Sequence, residues 1–325
     1  MPAILSFDRS AEPARPVTPD ESVAGARSDR TLIVVNPFAG HEEPARLRRR
    51  LGGAFAERDA PFDLITTQHA GHAATLARDA VRLGYRAVAA CGGDGTLAEV
   101  ATGLAGSATP LAIIPRGTGN QVAQNLGIPL SLEDAIDVAV HGRITTIDLG
   151  ITGDRAFALV AGAGFDAAVM QAATRELKER WGFGAYIYAA VKEALAAAPR
   201  RFHITADGRE IQVEAVSVMV ANVGELCARW LPFRLPLGPR PMSAWTDGML
   251  DVVIVAPRRP HDVAALLWQA AQRKLNSSDQ LLHFQAETIT IDADPAIAVQ
   301  IDGDPFGETP ISMAVMRDAM RVFVP

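Results

Sequence analysis

Cysteine is almost missing: Cys91 and Cys227 are the only two in 325 residues. Two thiols make neither a disulfide framework nor a four-cysteine zinc site, so a reducing, cytoplasmic setting is expected. Basic charge is in deficit, with 31 Lys+Arg against 37 Asp+Glu and a net charge of -6, which argues against a nucleic-acid partner. No uninterrupted run of about 18 apolar residues occurs, so no spanning helix is expected. The first residues carry no basic segment followed by an apolar run, so no signal peptide is read. What remains is ordinary for a folded chain. Apolar residues make up 49% and charged residues 21%, enough for a normal core and incompatible with a disordered or collagen-like chain. The length fits two domains or one large barrel.

Residues 1–28 mix proline, alanine and charge without a period and read as a mobile tail. TLIVV (31–35) is then a β-branched run of the kind buried on both sheet faces. Leu47, Leu51 and Phe55 mark an amphipathic helix over 42–58. Strands at 61–67, 86–91 and 110–115 alternate with helices at 69–83, 97–106 and 131–142. Four strand–helix alternations predict an α/β domain with a mostly parallel sheet, over 29–145. Beyond about residue 145 short strands with D-G turns dominate, with helices expected at 171–197 and 261–275. Residues 146–310 therefore read as a β-rich sandwich or flattened barrel, and 311–325 either close it or run back to the first domain.

Chemistry concentrates in two glycine-rich turns. CGGDGT (91–96) follows the third strand and RGTGN (116–120) the fourth. Both fall at the C-terminal edge of the sheet, where open α/β folds bind ligands. Neither turn is a G-x-G-x-x-G fingerprint or a G-x-x-x-x-G-K-[ST] loop. Gly92, Gly93 and Gly95 let backbone N–H groups approach phosphate oxygens, alone or at the N-terminus of a helix starting near Leu97. Asp94 among such donors either caps the turn or serves Mg²⁺ or a reacting proton. Thr118 can donate to phosphate, Asn120 can cap a helix or touch substrate, and Arg116 adds charge or points to solvent. Glu99 either faces the same edge or is a simple first-turn carboxylate. His69 and His72 share a helix face, but no third zinc ligand is evident.

Three motifs, NPFAG (36–40), GGDGT with AEV (92–100) and GTGN (117–120), resemble those of the diacylglycerol kinase catalytic-domain superfamily of lipid kinases. AGAGFDA (161–167), TDGMLDV (246–252), HFQAETITI (283–291) and IDGDPFGETP (301–310) extend the resemblance over roughly residues 30–325. It implies a nucleotide-binding α/β domain like that of phosphofructokinase and NAD kinase, joined to a β-rich lipid-binding domain. It further implies ATP and Mg²⁺ as cofactors, a lipid hydroxyl as acceptor, and peripheral membrane contact. By the same resemblance Asn36 and Thr67 line the nucleotide site. The run Gly92, Gly93, Gly95 and Thr96 wraps the phosphates, with Gly117, Thr118 and Asn120 beside it. Asp94 lies near the transferred phosphoryl group. Asp247, with carbonyls of Ala244 and Met249, holds a structural Mg²⁺. Asp302 and Asp304 fall where the family has Asp-Gly-Glu, whose glutamate is the base; Asp304 is therefore the base candidate and Asp94 its competitor.

This chain departs from the pattern in three places. Asp304 is one methylene short of the family glutamate, a reach smaller by about 1.5 Å. Gln121 replaces an acidic residue after GTGN. Residues 224–241 interleave Trp230, Leu231, Phe233, Leu235 and Leu237 with Arg229, Arg234 and Arg240. That composition suits a membrane-facing or acyl-gripping loop, and equally a loop packed on its own domain. Two other functions stay open: a soluble-substrate kinase of the NAD kinase type, which shares GGDGT, and a weakly active lipid-binding regulator. The membrane reading of 224–241 predicts that changing Trp230 and Phe233 together to serine abolishes co-sedimentation with liposomes; undiminished binding would place the contact elsewhere.

Overall fold

The computed structural model describes residues 27–40, 42–164, 199–223, 225–227, 234–236, 245–257 and 280–325. Among these, strands β1 (Thr31–Val35), β2 (Phe62–Thr66), β3 (Ala87–Gly92) and β4 (Leu111–Pro115) pair in parallel, in the order β2-β1-β3-β4. Between them run α1 (Pro44–Ala56), α2 (His72–Arg82) and α3 (Asp94–Leu104), followed by α4 (Gln121–Asn125) and α5 (Leu132–His141). All five residues of β1 are buried, because helices cover both faces. Leu32 and Val34 point to α2 and α3, whereas Ile33 and Val35 point to α1 and α5. The period of two along the strand thus meets the helical stripes of α1 and α2.

The rest of the chain is β-rich. In order come β5 (Arg143–Thr152), β6 (Arg155–Phe157), β7 (Val160–Gly164), β8 (Arg200–Ala206), β9 (Arg209–Ala215) and β10 (Ser217–Ala221). They are followed by β11 (Glu225–Cys227), β12 (Arg234–Pro236), β13 (Leu250–Val255), β14 (Leu281–Ala286) and β15 (Thr288–Asp294). Strands β16 (Ala298–Ile301), β17 (Asp304–Glu308) and β18 (Ile311–Val324) end the chain. An antiparallel sheet, β14-β13-β10-β7-β16-β17, packs on the β15-β8-β9 end of the first sheet. Phe202, Ile204, Val218, Val220, Val252 and Ile291 fill the space between the sheets and are each at most 1% exposed.

The two halves share one sheet. Strand β18 lies beside β4, with Val322 opposite Leu111, and pairs antiparallel with β5 and β15. Residues 311–324 therefore sit in the sheet that carries the glycine turns. Three expectations change in detail. The segment 143–164 holds three strands rather than two. The single strands expected over REIQVEAVSVMVAN and HFQAETITIDA are each two, one in each sheet, with breaks at Val216 and Glu287. The helices expected at 171–197 and 261–275 lie outside the described residues.

Where β5 crosses toward the second half, Asp148 is 3% exposed. Its Oδ2 accepts the Gly248 N–H and its Oδ1 the Asp318 N–H, both at 2.8 Å. It thereby ties the Asp247 turn and an irregularity of β18 to β5. Asp148→Ala leaves the buried Gly248 N–H and the part-buried Asp318 N–H without this acceptor and should lower stability by about 2–4 kcal/mol. Urea unfolding measures this, and a loss below about 0.5 kcal/mol would mean that water replaces the carboxylate.

Candidate active site

Strand β3 ends at Gly92 and α3 begins at once, with Gly93 as its N-cap and Asp94 as its first residue. The sequence placed this start near Leu97; no side chain caps the helix, so the local signal is weak. Gly95 and Thr96 thus belong to the first turn, whose free N–H groups suit an anion. The turn after β4 lies directly against this one. A Cβ on Gly117 would stand 2.6 Å from the Gly93 Cα, so neither turn could approach the other with a side chain there. A Cβ on Gly92 would stand 2.5 Å from Thr96 Oγ1. A depression between the turns is lined by Gly92, Gly93, Asp94, Leu97, Ile113, Pro115, Asn120 and Ala123.

The polar groups around it divide into those already engaged and those open. Asp94 accepts the Val122 N–H at 3.3 Å, and the N–H groups of Gln121 and Asn120 also reach it. Burial raises its pKa, and these backbone bonds oppose the rise. Asn120 closes its own turn, accepting from Gly117 N at 2.8 Å and donating to Gly117 O at 2.7 Å. It is 5% exposed, in a left-handed conformation. Asn36 donates to Thr96 Oγ1 at 3.0 Å and accepts the Phe38 N–H at 2.9 Å, so the first motif is bound to the second. Thr67 continues β2, its N–H bonded to Val35 O at 2.9 Å. Thr118 is exposed.

Two charges turn away. Arg116 pairs with Glu42 at 3.1 Å, with both side chains mostly buried, and lies against Gly40. Glu99 accepts the N–H groups of Gly71 and Ala73 at 2.8 and 3.0 Å. It caps α2 instead of facing the glycine turns. His69 and His72 stack with centroids 5.0 Å apart, and no group of three metal-ligating side chains occurs among the described residues. Cys91 is buried, which pushes its thiol up to about 12 and leaves no thiolate to react.

On the second sheet, the turn between β16 and β17 carries Asp302 and Asp304, and their roles differ. Asp302 accepts three backbone N–H groups: Ala158 at 3.0 Å, and Leu159 and Val160 at 2.9 Å each. It clips the turn onto the segment between β6 and β7. Burial first, and the Asp94 charge among the smaller causes, pushes its pKa up to about 6. The clip is a role that reading IDGDP along the sequence missed; the one local signal is a D-G pair, here with Asp302 at φ 49. Asp304 is more exposed, and its Oδ2 meets Arg155 Nη2 at 3.0 Å. Asp247 is exposed in its turn, accepting the Met249 N–H at 3.0 Å and a bond from Gln285 at 3.1 Å. Ala244 lies outside the described residues.

Paired glycine turns on a parallel sheet, with an Asp-Gly-Asp turn on an attached sandwich, are the two halves that the family comparison recognises. The model of the diacylglycerol kinase catalytic domain matches residues 30–152, and that of the YegS C-terminal NAD kinase beta sandwich-like domain matches 159–324. The chain belongs to the diacylglycerol kinase catalytic-domain family. A diacylglycerol kinase of Mycobacterium tuberculosis (strain ATCC 25618 / H37Rv) is 29% identical over 91% of this chain and 95% of that one. A "Probable lipid kinase YegS-like" of Pseudomonas syringae pv. tomato is 26% identical over 81% and 84%. An uncharacterized Synechocystis protein is 29% identical over 73% of this chain, but the match spans only 54% of that relative. A Bacillus anthracis crystal structure described as a diacylglycerol kinase superposes with a TM-score of 0.73 at 23% identity, covering 91% of this chain and 97% of the other. That likeness speaks to the fold. Among the described residues no helix is long and apolar enough to cross a membrane.

The elevated pKa of Asp302 has a testable sign. A carboxyl raised to about 6 from 3.8 stabilises the fold most at low pH and loses that contribution as pH rises toward 6. Asp302→Asn does not titrate. Its stability relative to the parent should therefore improve by about 2 kcal/mol between pH 4 and pH 7, read by urea unfolding at each pH. A difference independent of pH would show that Asp302 is ionised throughout.

Proposed function

We propose that the protein transfers the γ-phosphoryl group of ATP to the hydroxyl of a lipid, with a diacylglycerol as the leading acceptor class. One observation carries this reading: the α3 N-terminus and the Gly117 turn meet at one sheet edge, near enough to the acidic turn of the β-rich half for the Asp94 charge to be felt at Asp302. Backbone N–H groups from Gly93 to Thr96, with the Thr118 hydroxyl, would hold the phosphates, while Asn36 and Thr67 line the nucleotide on the β1–β2 side. The names of the relatives support a lipid acceptor, and those named diacylglycerol kinase support that class.

In the reaction the acceptor hydroxyl loses its proton to the Asp304 carboxylate. Its oxygen bonds to the γ-phosphorus as the bond to the β-phosphate oxygen breaks, releasing ADP. Asp94, beside the phosphate donors, would orient the acceptor or a metal-bound phosphate. Hard carboxylate and carbonyl oxygens are suitable donors for Mg²⁺, and the exposed Asp247 carboxylate in a pinned turn fits that chemistry. Asp247, Met249 and Ala244 would hold a structural ion. A Mg²⁺ ion bound with the nucleotide supplies neutralisation of phosphate charge. Acyl burial, at about 0.8 kcal/mol per CH₂, would supply most acceptor affinity.

Calorimetry should detect Mg-ATP binding at or below millimolar concentration. Radiolabelled ATP should label a lipid in a panel of diacylglycerol, ceramide and sphingosine, and should not label NAD. Asp94→Asn should retain the fold and lose at least about 10²-fold in kcat. Labelled NAD would establish the soluble-substrate reading, and nucleotide binding without any transfer the regulatory one. Absence of Mg-ATP binding would end the kinase reading.

A further inference from the structure

We propose that Arg155 is the positioning residue for Asp304, and that it compensates for the short reach of that aspartate. The inference rests on the reading of Asp304 as the base. Arg155 Nη2 donates to Asp304 Oδ2 at 3.0 Å and to the Ile301 carbonyl at 3.3 Å, so one guanidinium spans the acidic turn. Its Cζ lies 5.8 Å from the centroid of the Phe306 ring, which restricts it from a third side. The Arg155 side chain is 26% exposed and that of Asp304 57%. Ion pairs of such exposure add little to stability, so the three contacts are better explained by placement than by holding the fold.

The two partners belong to different sheets. Arg155 opens β6, which pairs with β5 in the sheet of the glycine turns, whereas Asp304 opens β17 at the edge of the second sheet. Next to Arg155, Ala156 donates its N–H to Thr102 Oγ1 at 3.2 Å, and the same hydroxyl reaches Ala156 O at 3.3 Å. Thr102 is in α3, the helix that starts at Asp94. A continuous set of contacts therefore runs from the phosphate-facing helix through Thr102 and Ala156 to Arg155 and the Asp304 carboxylate. A glutamate at 304 would reach further without help; an aspartate needs its direction fixed. The Asp302 clip holds the turn, and Arg155 aims the side chain.

A double-mutant cycle with lipid and ATP tests this. Arg155→Ala should lower kcat about 10- to 100-fold, with the KM for ATP and the melting temperature nearly unchanged. Adding Arg155→Ala to Asp304→Ala should cost no further activity, and millimolar guanidinium should restore part of the rate of Arg155→Ala but none of Asp304→Ala. Arg155→Lys should retain an intermediate rate. If Arg155→Ala does not fold, Arg155→Gln, which keeps the stem, takes its place in the cycle. Strictly additive losses, or a loss confined to the KM for ATP, would overturn the positioning role while leaving Asp304 as base. Unchanged kcat in folded Asp304→Ala would overturn both.

Discussion

The pairing of β18 is the constraint on which the rest of the molecule depends. This one strand lies beside β4, beside β5 and beside β15. It closes the parallel sheet on the side of the Gly117 turn and begins the sheet that supports the sandwich. Its backbone hydrogen bonds are made with residues far away in the chain, so the two halves form one hydrogen-bonded structure. The site lies near that junction, and its geometry follows from a register set by the last residues of the chain.

Carboxylates divide the labour at this junction. Asp94, Asp148 and Asp302 each accept backbone N–H groups from a segment distant in sequence. A carboxylate accepts several bonds at once and can satisfy donors that a turn leaves unpaired. Asp247 and Asp304 stand further into solvent with weaker commitments, which leaves them oxygen atoms to offer a cation or a proton. Burial thus separates carboxylates that tie distant segments together from those that stand in solvent.

The glycines have an equally specific task. Gly93 and Gly117 touch, and the contact brings the N-terminus of α3 and the turn after β4 within range of one ligand. No cationic side chain is aimed between them by Arg116, whose charge is held by Glu42. The groups presented at this edge are backbone N–H groups and hydroxyls, which suit an anion and impose direction as well as attraction.

The sequence by itself determined the parallel α/β half, the glycine turns at its edge and the β-rich character of the remainder. These are local properties: β-branched runs, a helical stripe such as Leu47, Leu51 and Phe55, and glycine after a buried strand. Tertiary structure decided the targets of long-range bonds. Glu99 and Arg116 carry ordinary local signals, yet their partners Gly71 and Glu42 lie 28 and 74 residues away. It also decided where REIQVEAVSVMVAN and HFQAETITIDA divide between sheets. The alternation slips by one residue at each break, from Ile211, Val213 and Ala215 to Val216, Val218 and Val220, and from Phe284 and Ala286 to Ile289 and Ile291, but a slip alone does not say that the strand changes sheet. Only the packing of one sheet on the other requires the chain to leave the first ladder there. The contrast between Asp302 and Asp304 has the same origin: two residues apart in one turn, they differ because one meets three N–H groups of the facing segment and the other meets Arg155.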